Sequence, residues 1–181
     1  MIPSIKNSIW LVALVIALLS CSQGPTLQTY YVDNELKPGF TSIDVPTSFL
    51  NIEETSLTEE QKEAYESVDK LNMLAFVVSD SNRTEYETEV AKVKTILKDP
   101  KYQELIRGGN STDGHFVVKY LGEETNIDEL VLFGDSNDKG FAIIRVLGDN
   151  MNINKIMKLS SVLENADLGE AEIGKFAEMF K

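Results

Sequence analysis

Residues 116–147 read FVVKYLGEETNIDELVLFGDSNDKGFAIIRVL. Three runs, Phe116–Leu121, Ile127–Phe133 and Phe141–Leu147, are rich in β-branched and aromatic residues. Such residues suit a pleated, half-buried surface. The links, Gly122 to Asn126 and Gly134 to Gly140, are short and between them supply Gly, Asn and Asp. Links of that length and chemistry turn a chain back on itself. The stretch is therefore expected to be an antiparallel meander.

Working outward towards the N-terminus, the run Leu71 to Val78 is almost wholly apolar and reads as a buried central strand. Before it, Thr58-Glu59-Glu60-Gln61 fits a capping box that opens a helix expected to reach about Asp69. After it, Tyr86, Val90, Val93 and Leu97 recur at helical spacing. Pro100 should interrupt that helix, with one or two further helical turns over Tyr102–Ile106 closed by Gly108-Gly109-Asn110. Thr26 to Leu36 predicts a short helix with Leu27, Tyr30 and Tyr31 inward, and Phe40–Val45 alternates as a strand ending at Pro46. Beyond the meander, Asn152 should cap a helix to about Ala166. Ile173, Phe176, Ala177 and Phe180 then mark a final short helix. The expected order is α-β-α-β-α-β-β-β-α-α. That order implies a single α+β domain: a mostly antiparallel sheet of about five strands, with helices packed mainly on one face.

The N-terminal residues have a different logic. Lys6 precedes an apolar run of eleven residues, Ile9 to Leu19. A membrane-spanning helix needs about 20 residues, so this run fits the h-region of a signal peptide. It ends in Leu18-Leu19-Ser20-Cys21, which resembles the bacterial lipobox: an aliphatic residue, a variable one, a small one, then cysteine. That resemblance implies diacylglyceryl transfer to the Cys21 thiol and cleavage before it. Residues 1–20 are then a removed signal peptide, 21–25 the lipidated cysteine and a short tether, and 26–181 the folded domain. Two or more acyl chains anchor a protein stably, each buried methylene adding about 0.8 kcal/mol. Ser22 after the cysteine and the absence of acids before Asp33 favour the outer membrane, facing the periplasm.

Charge narrows the partners. The formal net charge of −12 becomes −13 when Lys6 leaves with the leader. Nucleic acid and anionic lipid both require a basic surface, so neither is an expected partner. With Cys21 the only cysteine, a disulfide within the chain and a multi-thiolate zinc site are excluded.

The candidate chemistries are few. His115 is the only histidine, and no Gly-x-Ser-x-Gly elbow accompanies it; it reads as a half-exposed strand residue. Asp135-Ser-Asn-Asp-Lys-Gly140 resembles a calcium loop, but Lys139 and Val146 occupy positions where an EF-hand needs an oxygen ligand and Glu; a hairpin loop is expected. Seven acids between Glu53 and Asp69 read as a solvated helix face, the alternative being a dock for a basic partner. Arg145 shares a strand face with Phe141, Ile143 and Leu147. It is expected to be an edge residue reaching for water, with a buried ion pair or a ligand clamp as alternatives. Met73, Met151, Met157 and Met179 are expected in the core.

Several phrases together resemble the domain-of-unknown-function family 4252, lipoproteins mostly of Bacteroidota. They are Leu57-Thr-Glu-Glu-Gln61, Lys70–Phe76, Lys94–Tyr102, Val117–Gly122, Ile127–Gly134 and Gly140–Asp149. These are structural phrases and transfer no active site. The resemblance implies a lipid-anchored envelope domain, and a genetic neighbourhood of extracytoplasmic-function sigma factors hints at envelope signalling. The reading is a non-enzymatic binding or signalling-associated module of the cell envelope. No cofactor, catalytic or metal residue is assigned, lipid attachment is at Cys21, and an envelope protein is a possible partner. The alternatives are a hydrolase using acidic residues alone and a calcium-dependent module.

Overall fold

The computed structural model describes residues 24–49, 57–110, 112 and 114–163. Helix α1 (Leu27–Asn34) is followed by β1 (Phe40–Pro46) and a 3-10 turn (Thr47–Phe49). Then come α2 (Glu59–Glu66), β2 (Val68–Val77), α3 (Arg83–Ile96), β3 (Gln103–Asn110), β4 (Gly114–Glu123), β5 (Asn126–Ser136), β6 (Gly140–Met151) and α4 (Ile153–Leu163). One sheet runs in the order β1-β2-β6-β5-β4-β3, and every neighbouring pair is antiparallel.

The α+β class, the meander and the inward Leu27, Tyr30 and Tyr31 are as the sequence predicts. The capping box is formed: Thr58 accepts from the Gln61 amide while the Gln61 side chain accepts from the Thr58 amide. The sheet has six strands, not five, because Tyr102–Ile106 is not helical. A bulge between Glu104 and Ile106 explains the misreading. Tyr102, Leu105 and Ile106 recur at three and four residues, which is helical spacing, but the extra residue of a bulge breaks strand alternation in just this way. Gly108-Gly109-Asn110 accordingly belongs to a strand rather than a helix end. Helix α2 stops at Glu66, short of Asp69, because Val68 already pairs with Gly148. The expected final helix over 173–180 lies outside the described residues, as do the leader and Cys21.

Helices α1 and α3 cover one face of the sheet. The core beneath them joins Leu27, Tyr86 and Val93 to Leu74, Phe76, Val131, Phe133, Phe141 and Ile143. At its centre the Phe76 and Phe141 rings stack 5.8 Å apart. Gly140, at the start of β6, lies against the backbone of β2. Its φ is +118°, and a β-carbon there would come within 1.9 Å of the Phe76 carbonyl oxygen, so only glycine fits. Helices α2 and α4 pack on each other and over one end of the opposite face, through Ala64, Ile153, Ile156 and Leu159 onto Tyr120, Leu130 and Met151.

Candidate functional site

The covered face is wider than its helices. On β2, β6 and β5 its central residues Leu74, Phe76, Phe141, Ile143, Val131 and Phe133 are buried. On β4, Val117 and Lys119 are half-buried, and on β3 Arg107 is exposed. The last turns of α3 and this uncovered ledge enclose a cleft of about 350 Å³. Leu97, Val117 and Phe133 supply an apolar interior, while Lys94, Lys98, Arg107 and Lys119 stand around it with His115. Asp135 is the single acid in the lining among the described residues. Four cations stand against Asp135 and the Glu104 that meets Arg107, a local excess of positive charge in a chain whose acids outnumber its bases 29 to 17.

Local structure explains how like charges gather here. Lys94 and Lys98 lie at the C-terminal end of α3, where the helix dipole favours cations. Lys94 reaches the sheet and pairs with Asp135 at 2.7 Å. The Lys119 ammonium donates to the Tyr102 carbonyl at 3.1 Å. Arg107 is met by Glu104 through both carboxylate oxygens, at 3.0 and 2.5 Å. The hydrogen bond from Arg107 holds the Glu104 carboxyl below its usual range. Both members of that pair are solvent-facing, and exposed pairs contribute little and exchange readily. Lys98 and His115 have no side-chain partner among the described residues. The arrangement therefore offers N–H donors around an apolar floor, within the volume range usual for small-ligand sites.

A family model for a domain of unknown function, DUF4252, matches residues 31–159. The chain belongs to the DUF4252 family. The matched span takes in all six strands and every cleft residue named above. No curated protein and no solved structure matches the chain.

A wider groove, of about 560 Å³, lies between α1 and α3 in this DUF4252 domain. Its cations are engaged locally: Lys92 pairs with Glu89 at 2.6 Å, and Lys37 donates to Asn34 at 2.9 Å.

Arg145 corrects the sequence reading. It is 3% exposed, not an edge residue reaching for water. Its guanidinium donates to Glu129 at 2.6 and 3.3 Å and to Gln28 of α1 at 2.8 Å. It stands on the covered face beside Asn72, its register partner on β2. Around it the polar residues under α1 are mutually satisfied. Tyr31 donates to Asp44 at 2.6 Å, Asn72 donates to the same carboxylate, and Tyr30 donates to Glu89 at 2.8 Å. Among the described residues no buried side-chain nitrogen or oxygen lacks a partner. Burial, and then the neighbouring carboxylates, push the hydroxyls of Tyr30 and Tyr31 well above their ordinary 10.0.

His115 is an exposed strand residue at the mouth of the cleft. Residues 136–140 form the β5–β6 hairpin, as expected. The loop oxygens already serve the protein: Arg83 donates to the Asn137 carbonyl, and Tyr86 donates to the Ser136 carbonyl at 3.0 Å. A guanidinium on that carbonyl opposes a calcium ion there. Among the described residues no group of three metal-ligating side chains converges. Glu59, Glu60, Glu63, Glu66 and Asp69 are exposed, and two of them bridge to α4 as Glu60–Lys158 and Glu63–Lys155. Met73 and Met151 are buried, but Met157 is 44% exposed, against expectation, because it stands beside rather than on the buried stripe of Ile153, Ile156 and Leu159. Glu53, Glu54 and Met179 lie outside the described residues.

Proposed function

We propose that this protein is a lipid-anchored module of the bacterial envelope that binds, without transforming it, a small organic anion carrying an apolar body. The observation that carries the reading is the cleft's local excess of positive charge: Lys94, Lys98, Arg107 and Lys119 around Leu97, Val117 and Phe133 in a strongly acidic chain. Charge-assisted N–H donors would hold the anionic head, and the apolar floor would take the body. The acids placed on this face of the sheet suit structure rather than proton transfer, since Arg145 holds Glu129 and Lys94 holds Asp135. In this reading Cys21 carries the lipid, because Lys6, the apolar run and Leu18-Leu19-Ser20-Cys21 fall in the required order, and Ser22 with no acid before Asp33 favours the outer membrane, facing the periplasm. The first described helix begins at Leu27, so the tether would be short. A partner protein in the envelope would then sense the loaded cleft.

The test is equilibrium binding of 1-anilinonaphthalene-8-sulfonate, an aromatic anion, against its neutral analogue N-phenyl-1-naphthylamine. The sulfonate should bind preferentially, and Lys98→Glu and Arg107→Glu should each weaken it about tenfold, or about 1.4 kcal/mol. Equal binding of both probes, indifferent to those substitutions, contradicts the proposal.

A further inference from the structure

The face of the sheet turned away from α1 and α3 carries a row of large apolar residues, one from every strand. In register order these are Ile43, Met73, Ile144, Leu132, Val118 and Ile106. The next row along the strands is mostly small: Thr41, Ala75, Ala142, Gly134, Phe116 and Gly108. The Phe116 ring lies over Gly108. The two rows make a shallow apolar trough, flanked at one end of the strands by the α2–α4 pair. Phe116 is 48% exposed, Ile106 41%, Val77 39% and Leu132 38%, so four of the seven exposed large hydrophobics of the described residues share this face. The exposed part of the face lies over β3, β4 and β5 and at Val77, whereas Ile43, Met73 and Ala75 at its β1–β2 side are buried; exposed apolar surface of this kind marks a contact site.

The chain carries its own complement. Ile173, Phe176, Ala177 and Phe180 fall at helical spacing, with Glu172, Lys175, Glu178 and Lys181 between and beyond them. A stripe of that kind is stable only when an apolar surface covers it. The point of departure favours this face. Helix α4 packs over one end of it and ends at Leu163. Ten residue steps separate Leu163 from Ile173, enough for about 33 Å of extended chain. The six strands span roughly 24 Å, from five gaps of about 4.8 Å. We infer that residues 173–180 form an amphipathic helix that docks in this trough and closes the second face of the sheet from within the same chain.

Disulfide trapping in the full-length chain with Cys21 intact tests this, the linked peptides being identified by mass spectrometry. Leu132→Cys with Phe176→Cys should link within one chain about tenfold more than Leu132→Cys with Lys175→Cys, which places the thiol on the far side of the same helix. Mixing isotopically light and heavy chains separates links within a chain from links between chains. Equal trapping of the two pairs, no trapping, or links only between chains overturns the inference, the last pointing to a second copy as occupant. As a second readout, Phe176→Asp with Phe180→Asp should lower Tm by about 4 °C or more, while Phe176→Leu with Phe180→Leu should lower it far less. Equal Tm values for the two variants overturn it as well.

Discussion

On one face of the sheet, Phe76, Phe141, Ile143 and Val131 lie under two helices, and the polar residues among them pair with one another. On the other, the same six strands carry an unbroken apolar row in which Ile43 and Met73 are buried while Leu132 and Ile106 stay more than a third exposed. The covered face spends its polar groups on holding α1: Gln28 on Arg145, Tyr31 on Asp44, and the Leu27 amide on the Tyr102 hydroxyl. Among the described residues the row Ile43, Met73, Ile144, Leu132, Val118 and Ile106 on the other face contains no polar side chain. Position in the sheet therefore separates surface that maintains the fold from surface left for contact, and the cationic ledge beyond α3 belongs to the second kind.

The comparison breaks most easily at Arg145. Arg145→Met should destabilise the protein by about 3–5 kcal/mol, because it leaves the Glu129 carboxylate buried and unpaired. Adding Glu129→Leu should restore most of that loss, and urea unfolding of the three proteins measures both effects. Next in size, Phe141→Ala should cost about 3–5 kcal/mol, whereas Leu132→Ala, on the face that residues 173–180 are inferred to cover, should cost about half as much. Similar costs for the two would erase the distinction between the faces.

A smaller effect lies in alkali. The buried hydroxyls of Tyr30 and Tyr31 titrate above their ordinary 10.0 in the fold. A group whose folded pKa is raised gives stability that is intact below its unfolded pKa and is lost as pH rises beyond it. Tm should hold up to about pH 10 and fall above it. The fall should be shallower in Tyr30→Phe, as thermal melts across that range would show. The smallest effect on stability belongs to the cleft. Lys98→Glu should change unfolding free energy by no more than about 0.5 kcal/mol, since the residue is exposed and supports no other group.

Much of the fold could be read from local pattern. The meander announced itself through β-rich runs and short links, α3 through its four-three-four spacing, and α2 through Thr58 and Gln61. Strand β3 could not, because its bulge gives Tyr102, Leu105 and Ile106 the spacing of a helix and only pairing with β4 decides the matter. The alternation of β6 puts Arg145 on the correct strand face, yet its burial depends on Glu129 of the neighbouring strand and on Gln28, 117 residues away. The cleft was the least legible feature. Its cations come from α3, β3 and β4, each set among acids in the sequence, and misreading β3 as a helix hid Arg107 from Lys119. Composition gave only the global charge, which points the opposite way.

The most direct measurement is amide chemical-shift mapping of the protein while 1-anilinonaphthalene-8-sulfonate is added. The account predicts saturable shifts at Lys94–Lys98, Arg107 and His115–Lys119, reduced in Lys98→Glu. Shifts centred instead on Val77, Leu132 and Ile144 would place the probe on the apolar face and contradict the assignment of the cleft as the ligand site.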